Sequence, residues 1–202
     1  MAGSSFDASL SLEEADPTAY EVPSRASLEA FASSAAAGNL SQDNIRKLER
    51  VPSTDGSFTR SRALLLMNAE ANRNGRAVKR YLDQLMSLDE NRYNPVYLSK
   101  RARWFANQRR YDKALQDAQK AEQHWARIAP ELVFDTKTEI YEVEAASLQG
   151  MFYASEDLEA LDQAIRSWLK YQRHVQSRER MDLVARSEEQ IAKLEYARDR
   201  LD

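Results

Sequence analysis

Apolar residues recur along this chain at spacings of three and four, the period of helices that bury one face. The clearest stretch is 94–127. It places Leu98, Ala102 and Phe105 on one segment and Ala114, Leu115, Ala118 and Ala121 on the next. Before it, residues 57–74 carry Ala63, Leu64, Met67 and Ala71, and a partner segment carries Val78, Tyr81, Leu82 and Leu85. After it, Val133, Ile140, Tyr141, Leu148 and Phe152 form one stripe; Leu158, Leu161, Ile165, Trp168 and Val175 form another. A last helix from about residue 180 shows Val184, Ile191, Leu194 and Leu201 on one face. Two shorter, weaker segments precede all of these. Ser27 is placed to cap Leu28 and Phe31, ending near Gly38; Ser41 is placed to cap Ile45 and Leu48, ending before Pro52. The pattern predicts nine helices: four hairpins and a terminal one.

Turn residues punctuate this pattern. Pro52, Pro95 and Pro130 fall between pairs, with Pro95 and Pro130 suited to a first helical turn, and Gly75 and Gly150 fall within pairs. Asn74-Gly75 marks a turn. Ser155 is placed to cap the helix that follows Gly150, with Glu156 and Asp157 favouring its first turn. From Pro95 to Pro130 the chain spans about the 34 residues of one helix-turn-helix repeat.

Residues 1–25 differ from the rest. They are Ser-rich, hold Pro17 and Pro23, and set Asp7, Glu13, Glu14, Asp16 and Glu21 against Arg25 alone. Such a segment cannot bury enough apolar surface to offset its ordering entropy. It reads as a disordered acidic tail, with Tyr20 as its one candidate linear motif, ahead of a helical domain over 26–202.

Composition narrows the function classes. Charged residues make up 30% of the chain, yet the net charge is −3, which argues against a general nucleic-acid binder. Charge is segregated: residues 92–127 hold nine Lys/Arg against three Asp/Glu, and residues 131–162 hold one Lys against nine Asp/Glu. Ion pairing between these neighbours is the expected outcome. With no cysteine and two histidines, His124 and His174, thiolate sites, disulfides and histidine-rich metal sites are excluded. No glycine-rich phosphate loop occurs, and Glu139 and Glu142 read as a solvated helix face. No catalytic residue, cofactor or metal is implied.

No apolar run reaches the length of a membrane span, and the first residues lack the basic-then-apolar start of an export signal. As written, the chain reads as cytoplasmic. A start such as Met-Ala-Gly-Ser-Ser also fits a chain whose export signal, with any lipid-bearing cysteine, has been removed. A periplasmic or membrane-tethered placement would follow.

In the 94–127 stretch, Leu98, Ala102 and Phe105, followed by Tyr111, Ala114, Ala118 and Ala121, resemble a tetratricopeptide repeat. Small residues at Ala102 and Ala114 let two helices close to contact. Asn68 and Arg80 depart from the pattern in the preceding unit, and the proline expected near Ala126 comes late, as Pro130. The resemblance implies an all-α, right-handed α-solenoid of about four helical hairpins plus a C-terminal capping helix. It also implies an inner surface lined by the first helix of each pair. Ser99, Lys100, Arg103, Ala106 and Asn107 would lie there, joined by Leu65, Asn72 and Arg73. Asn72, Arg73, Lys100, Arg103 and Asn107 are the candidate partner-binding residues, suited to an extended peptide or an acidic C-terminus. The expected function is a non-enzymatic scaffold or adaptor for a protein or peptide partner, its oligomeric state open. The alternative is a structural subunit of a cell-envelope or secretion assembly, tethered through the acidic tail.

Overall fold

The computed structural model describes residues 22–201. These form nine α-helices and, among the described residues, no strand. The helices are α1 (Arg25–Ala36), α2 (Gln42–Arg50), α3 (Phe58–Ala71), α4 (Gly75–Met86), α5 (Pro95–Asn107), α6 (Tyr111–Gln123), α7 (Val133–Ser155), α8 (Leu158–Gln176) and α9 (Met181–Arg198). Two single 3-10 turns, Trp125–Arg127 and Pro130–Leu132, connect α6 to α7. From α2 onward each helix packs on the next, while α1 also packs on α3 and α5 on α7. The fold is therefore an all-α stack of helical pairs in which each element meets only near neighbours in sequence.

The core is segmented to match. One cluster joins α1 to α4 through Leu28, Leu48, Leu65, Leu66, Leu82 and Leu85. A second holds Leu98, Ala102, Ala114, Ala118, Ala121, Ile140 and Val143, and a third runs from α7 to α9 around Trp168 and Tyr171. Tyr141 packs against both of the latter clusters. The alanines at 102, 114 and 121 are completely buried, so α5 and α6 approach at small side chains. Leu65 lies in this core as well; the expectation that it lines the inner surface is corrected by its burial.

Several boundaries fall elsewhere than the pattern predicts. Ser24, not Ser27, caps α1, its hydroxyl accepting from the Ser27 N–H, so the helix starts at Arg25 inside the expected tail. The rest of that tail, residues 1–21 with Tyr20, lies outside the described residues. Ser41 caps α2 as expected, accepting from Asn44 N–H. Ser155 ends α7 rather than capping α8. Asp157 is the cap, accepting from Glu159 N–H, and the reversal is made by Glu156 at φ +55°. Gly150 lies inside α7, five residues before its end, and makes no turn. Leu158 and Leu201 are 49% and 43% exposed rather than part of the apolar stripes. His124 and Trp125 leave α6: His124 packs its ring 5.1 Å from Tyr93, and Trp125 opens the first 3-10 turn.

Candidate functional site

The first helices of the pairs, α3, α5 and α7, share one face of the stack. α5 packs directly on α7, whereas α3 and α5 meet at most marginally. The gap between them is a cleft of about 510 Å³, lined by Glu70 and Arg73 from α3 and its end, Gly75 and Val78 from α4, and Glu139 from α7. α5 contributes Lys100, Arg103, Trp104 and Asn107, which recur at helical spacing and so face the same way.

Ion pairs build the floor. Lys100 Nζ donates to both carboxylate oxygens of Glu70, at 3.0 and 2.8 Å, bridging the open seam between α3 and α5. Arg103 donates Nε to Glu139 at 2.7 Å and Nη2 to Glu142 at 2.9 Å. Glu142 is buried, and its other oxygen lies 2.7 Å from Arg186 Nη1 on α9. Ser99 Oγ donates to Glu139 at 2.9 Å. Burial opposes the charge on Arg103, but Glu139 and Glu142 together outweigh it and hold the guanidinium pKa above its ordinary value. Glu139 and Glu142 are thus anchors of an ion-pair network and not the solvated face their spacing suggested.

The expected pairing of the basic stretch with the acidic one is realised here. A second interhelical cluster forms at Lys170, outside both stretches; its Nζ lies 3.0 Å from Glu122 and 3.1 Å from Glu144. Burial works against the Lys170 charge, and the two carboxylates hold its pKa above the usual lysine value.

Trp104 closes one side of the cleft. Its Nε1 donates to the Gly75 carbonyl at 3.0 Å, fixing the α3–α4 turn to α5, while its ring remains partly exposed. The indole N–H is therefore satisfied; the ring packs partly on the α1–α4 core, has Lys79 Nζ 6.0 Å from its centre, and offers its exposed part for contact. Arg73 and Asn107 lie at the outer end, both exposed.

Of the five candidate residues, the structure brings Arg73, Lys100, Arg103 and Asn107 to this cleft. Asn72 belongs to a neighbouring polar cleft of about 450 Å³ against the α1–α2 turn, α2 and α4, where its amide donates to the Gly38 carbonyl at 2.8 Å and to Asn68 O at 2.9 Å. It holds the α1–α2 turn in place. Val78 is missing from the sequence reading of the groove, and Trp104 enters it only as a core or groove-lining residue, the one of the three tryptophans expected to be exposed. The one available signal was that Phe105, not Trp104, takes the core-facing position, which leaves the indole on the outside.

Among the described residues no three His, Asp or Glu side chains gather in a metal-binding group, and no helix is long and apolar enough to cross a membrane. Compared with protein-family models, curated proteins and solved structures, the chain matches none.

Proposed function

We propose that this chain is a non-enzymatic, tetratricopeptide-like scaffold that holds a partner protein or peptide in the cleft across α3, α5 and α7. One observation carries the reading: Arg73 at the end of α3 meets Lys100, Arg103 and Asn107 of α5 and a partly exposed tryptophan in an open groove whose floor is braced by interhelical ion pairs. A braced groove loses little side-chain entropy when a ligand enters, which is the condition for recognition by a rigid surface. Apolar contact is available on Trp104 and Val78, and hydrogen bonding to an extended backbone is available from Asn107.

The ion pairs change which residues test the idea. Reversing the charge of Lys100 or Arg103 would set a new carboxylate against Glu70, or against Glu139 and Glu142, and would disturb the scaffold itself. A photo-crosslinking amino acid at Asn107 avoids this, with the exposed Lys120 on the second-helix layer as control position. Irradiation in extract of the source cells should join a discrete protein to the chain from position 107 and not from 120. Identical products from both positions, or none from either, would overturn the assignment of this cleft.

A further inference from the structure

Arg73 and Arg109 both occupy the left-handed backbone region, at φ +51° and +56°. Each follows the C-cap of a first helix. Arg73 N–H donates to Glu70 O and Asn74 N–H to Ala69 O; Arg109 N–H donates to Ala106 O and Arg110 N–H to Phe105 O. The same turn is thus built at both arginines, one repeat apart, and it recurs after α8 at Glu179. Glycine suits that position because a Cβ crowds the following carbonyl, and the equivalent turn after α1 does use Gly38, at φ +73°.

Neither arginine offsets that backbone cost inside the protein. Among the described residues no carboxylate lies within ion-pairing distance of either side chain, although Lys100 and Arg103 alongside are both paired. Arg76, exposed at the start of α4, and Arg110, whose guanidinium lies 5.0 Å from the Phe105 ring, flank them and are also without a carboxylate there. The Trp104–Gly75 hydrogen bond fixes the first of these turns to α5, the helix from which the second turn leaves, and Arg73 lines the cleft itself. One unit further on the left-handed residue after the first helix is Glu156, at φ +55°, which is itself the C-cap of α7, so a negative residue ends that helix where arginines follow the other two.

We propose that Arg73, Arg109 and the cleft beside them bind one extended acidic segment of a partner protein. A bulky apolar side chain of that segment sits over Trp104 and Val78, and Asp or Glu carboxylates on either side meet Arg73 and Arg109. The proposal rests on the cleft being the binding site, as argued above. A nucleic acid fits less well, because a continuous polyanion needs free positive charge along the whole groove, whereas Lys100 and Arg103 are already paired with Glu70 and Glu139 and the chain as a whole is acidic.

The substitution that removes the charge also relieves the backbone. Arg73→Gly with Arg109→Gly suits both left-handed positions, so the thermal midpoint of the full chain should stay equal or rise while binding falls. The probes are three fluorescein-labelled oligomers: a dodecapeptide with a central Leu-Phe flanked by Asp and Glu, the same peptide with Asn and Gln for the acids, and a twelve-nucleotide oligo-thymidine. By anisotropy, the acidic peptide should bind more tightly than its amide counterpart, weaken with added salt, and lose about tenfold in affinity in the double variant. Equal binding of the two peptides would overturn the acidic assignment while leaving the cleft in place. So would a cross-link from position 107 to a partner that the acidic peptide does not displace. No binding of the acidic peptide, or oligo-thymidine binding as tightly and lost in the same variant, would overturn the proposal outright.

Discussion

Gly150 of α7 lies directly under the ring of Tyr111, the first residue of α6. A methyl group built on Gly150 would sit 2.3 Å from Tyr111 Cζ and 2.6 Å from both Cε atoms. The glycine is there because two helices close onto each other at an aromatic ring, within an otherwise continuous helix.

Gly150→Ala sets two effects against each other. Alanine gains about 1 kcal/mol of helix propensity over glycine, while forcing a methyl into the ring costs about 1–3 kcal/mol through overpacking. The clash distance decides in favour of the second, so the variant should unfold at lower denaturant than the wild type. In a Tyr111→Ala background the same change should be neutral or stabilising. A G150A variant as stable as the wild type with Tyr111 intact would show that the two helices do not meet as described.

Arg62 ends α2. Its guanidinium donates to the carbonyls of Leu48, Glu49 and Val51, caps the last turn from α3, and lies 4.3 Å from the Phe58 ring centre, with the side chain buried. Carbonyls left without a donor at a buried helix end cost about 1–3 kcal/mol. Arg62→Met keeps the aliphatic stem and should destabilise by about 2–4 kcal/mol, read as a shift of the urea midpoint at constant slope. Arg62→Lys should recover only part of this, since an ammonium cannot span three carbonyls as a planar fork does.

The helical periodicity was legible because each stripe repeats over several turns, and the buried alanines at 102, 114 and 121 answer to it directly. What periodicity could not reveal was which polar residues point at one another. Glu142 and Arg103 lie 39 positions apart, and no local signal distinguishes a solvated glutamate from one between two arginines. Gly150 and Gly75 look alike in sequence, yet one is a contact point inside a helix and the other the first residue of α4. The left-handed turns carry no sequence signal, because arginine and glutamate hold them where glycine is the usual residue. In the cleft, charge type and helical face were enough to place Arg73, Lys100, Arg103 and Asn107, but not to show that two of the four are neutralised.

His174 gives the fold a pH dependence. Its ring stacks on Phe134, with centroids 4.7 Å apart, meets Tyr141 edge-on at 5.2 Å, and brings Nε2 within 3.1 Å of Thr138 Oγ1 and 3.3 Å of the Phe134 carbonyl. Burial pushes its pKa below the ordinary 6.5, the Phe134 carbonyl opposes this, and nearby Lys137 and Arg178 add to the depression. The unfolded chain therefore binds the proton more readily than the folded one. The His174 contribution is fully present above about pH 6.5 and is lost as the pH falls through the lowered value. Urea midpoints measured from pH 7.5 down to 5.5 should fall in the wild type more than in His174→Asn, with the difference confined to that window. Parallel curves would place the ring in solvent.

Glu142 is the joint between three helices, and its removal should show more than one broken pair. It accepts from Arg103 of α5 and lies 2.7 Å from Arg186 of α9, while belonging to α7. Both guanidinium groups are partly exposed, so solvent screens each pair and the individual bonds stabilise by about 1 kcal/mol or less. The carboxylate itself is buried, which makes the consequences of substitution asymmetric. Glu142→Gln keeps the shape and loses the charge, and should cost about 1–2 kcal/mol. Arg103→Met leaves Glu142 with Arg186 and should cost less than the same change combined with Arg186→Met, which strands a buried carboxylate. The double variant should therefore exceed the sum of the two single losses by about 1 kcal/mol or more. Simple additivity in chemical denaturation would mean that the two arginines act as separate surface pairs, and that the floor of the cleft is not braced through α9.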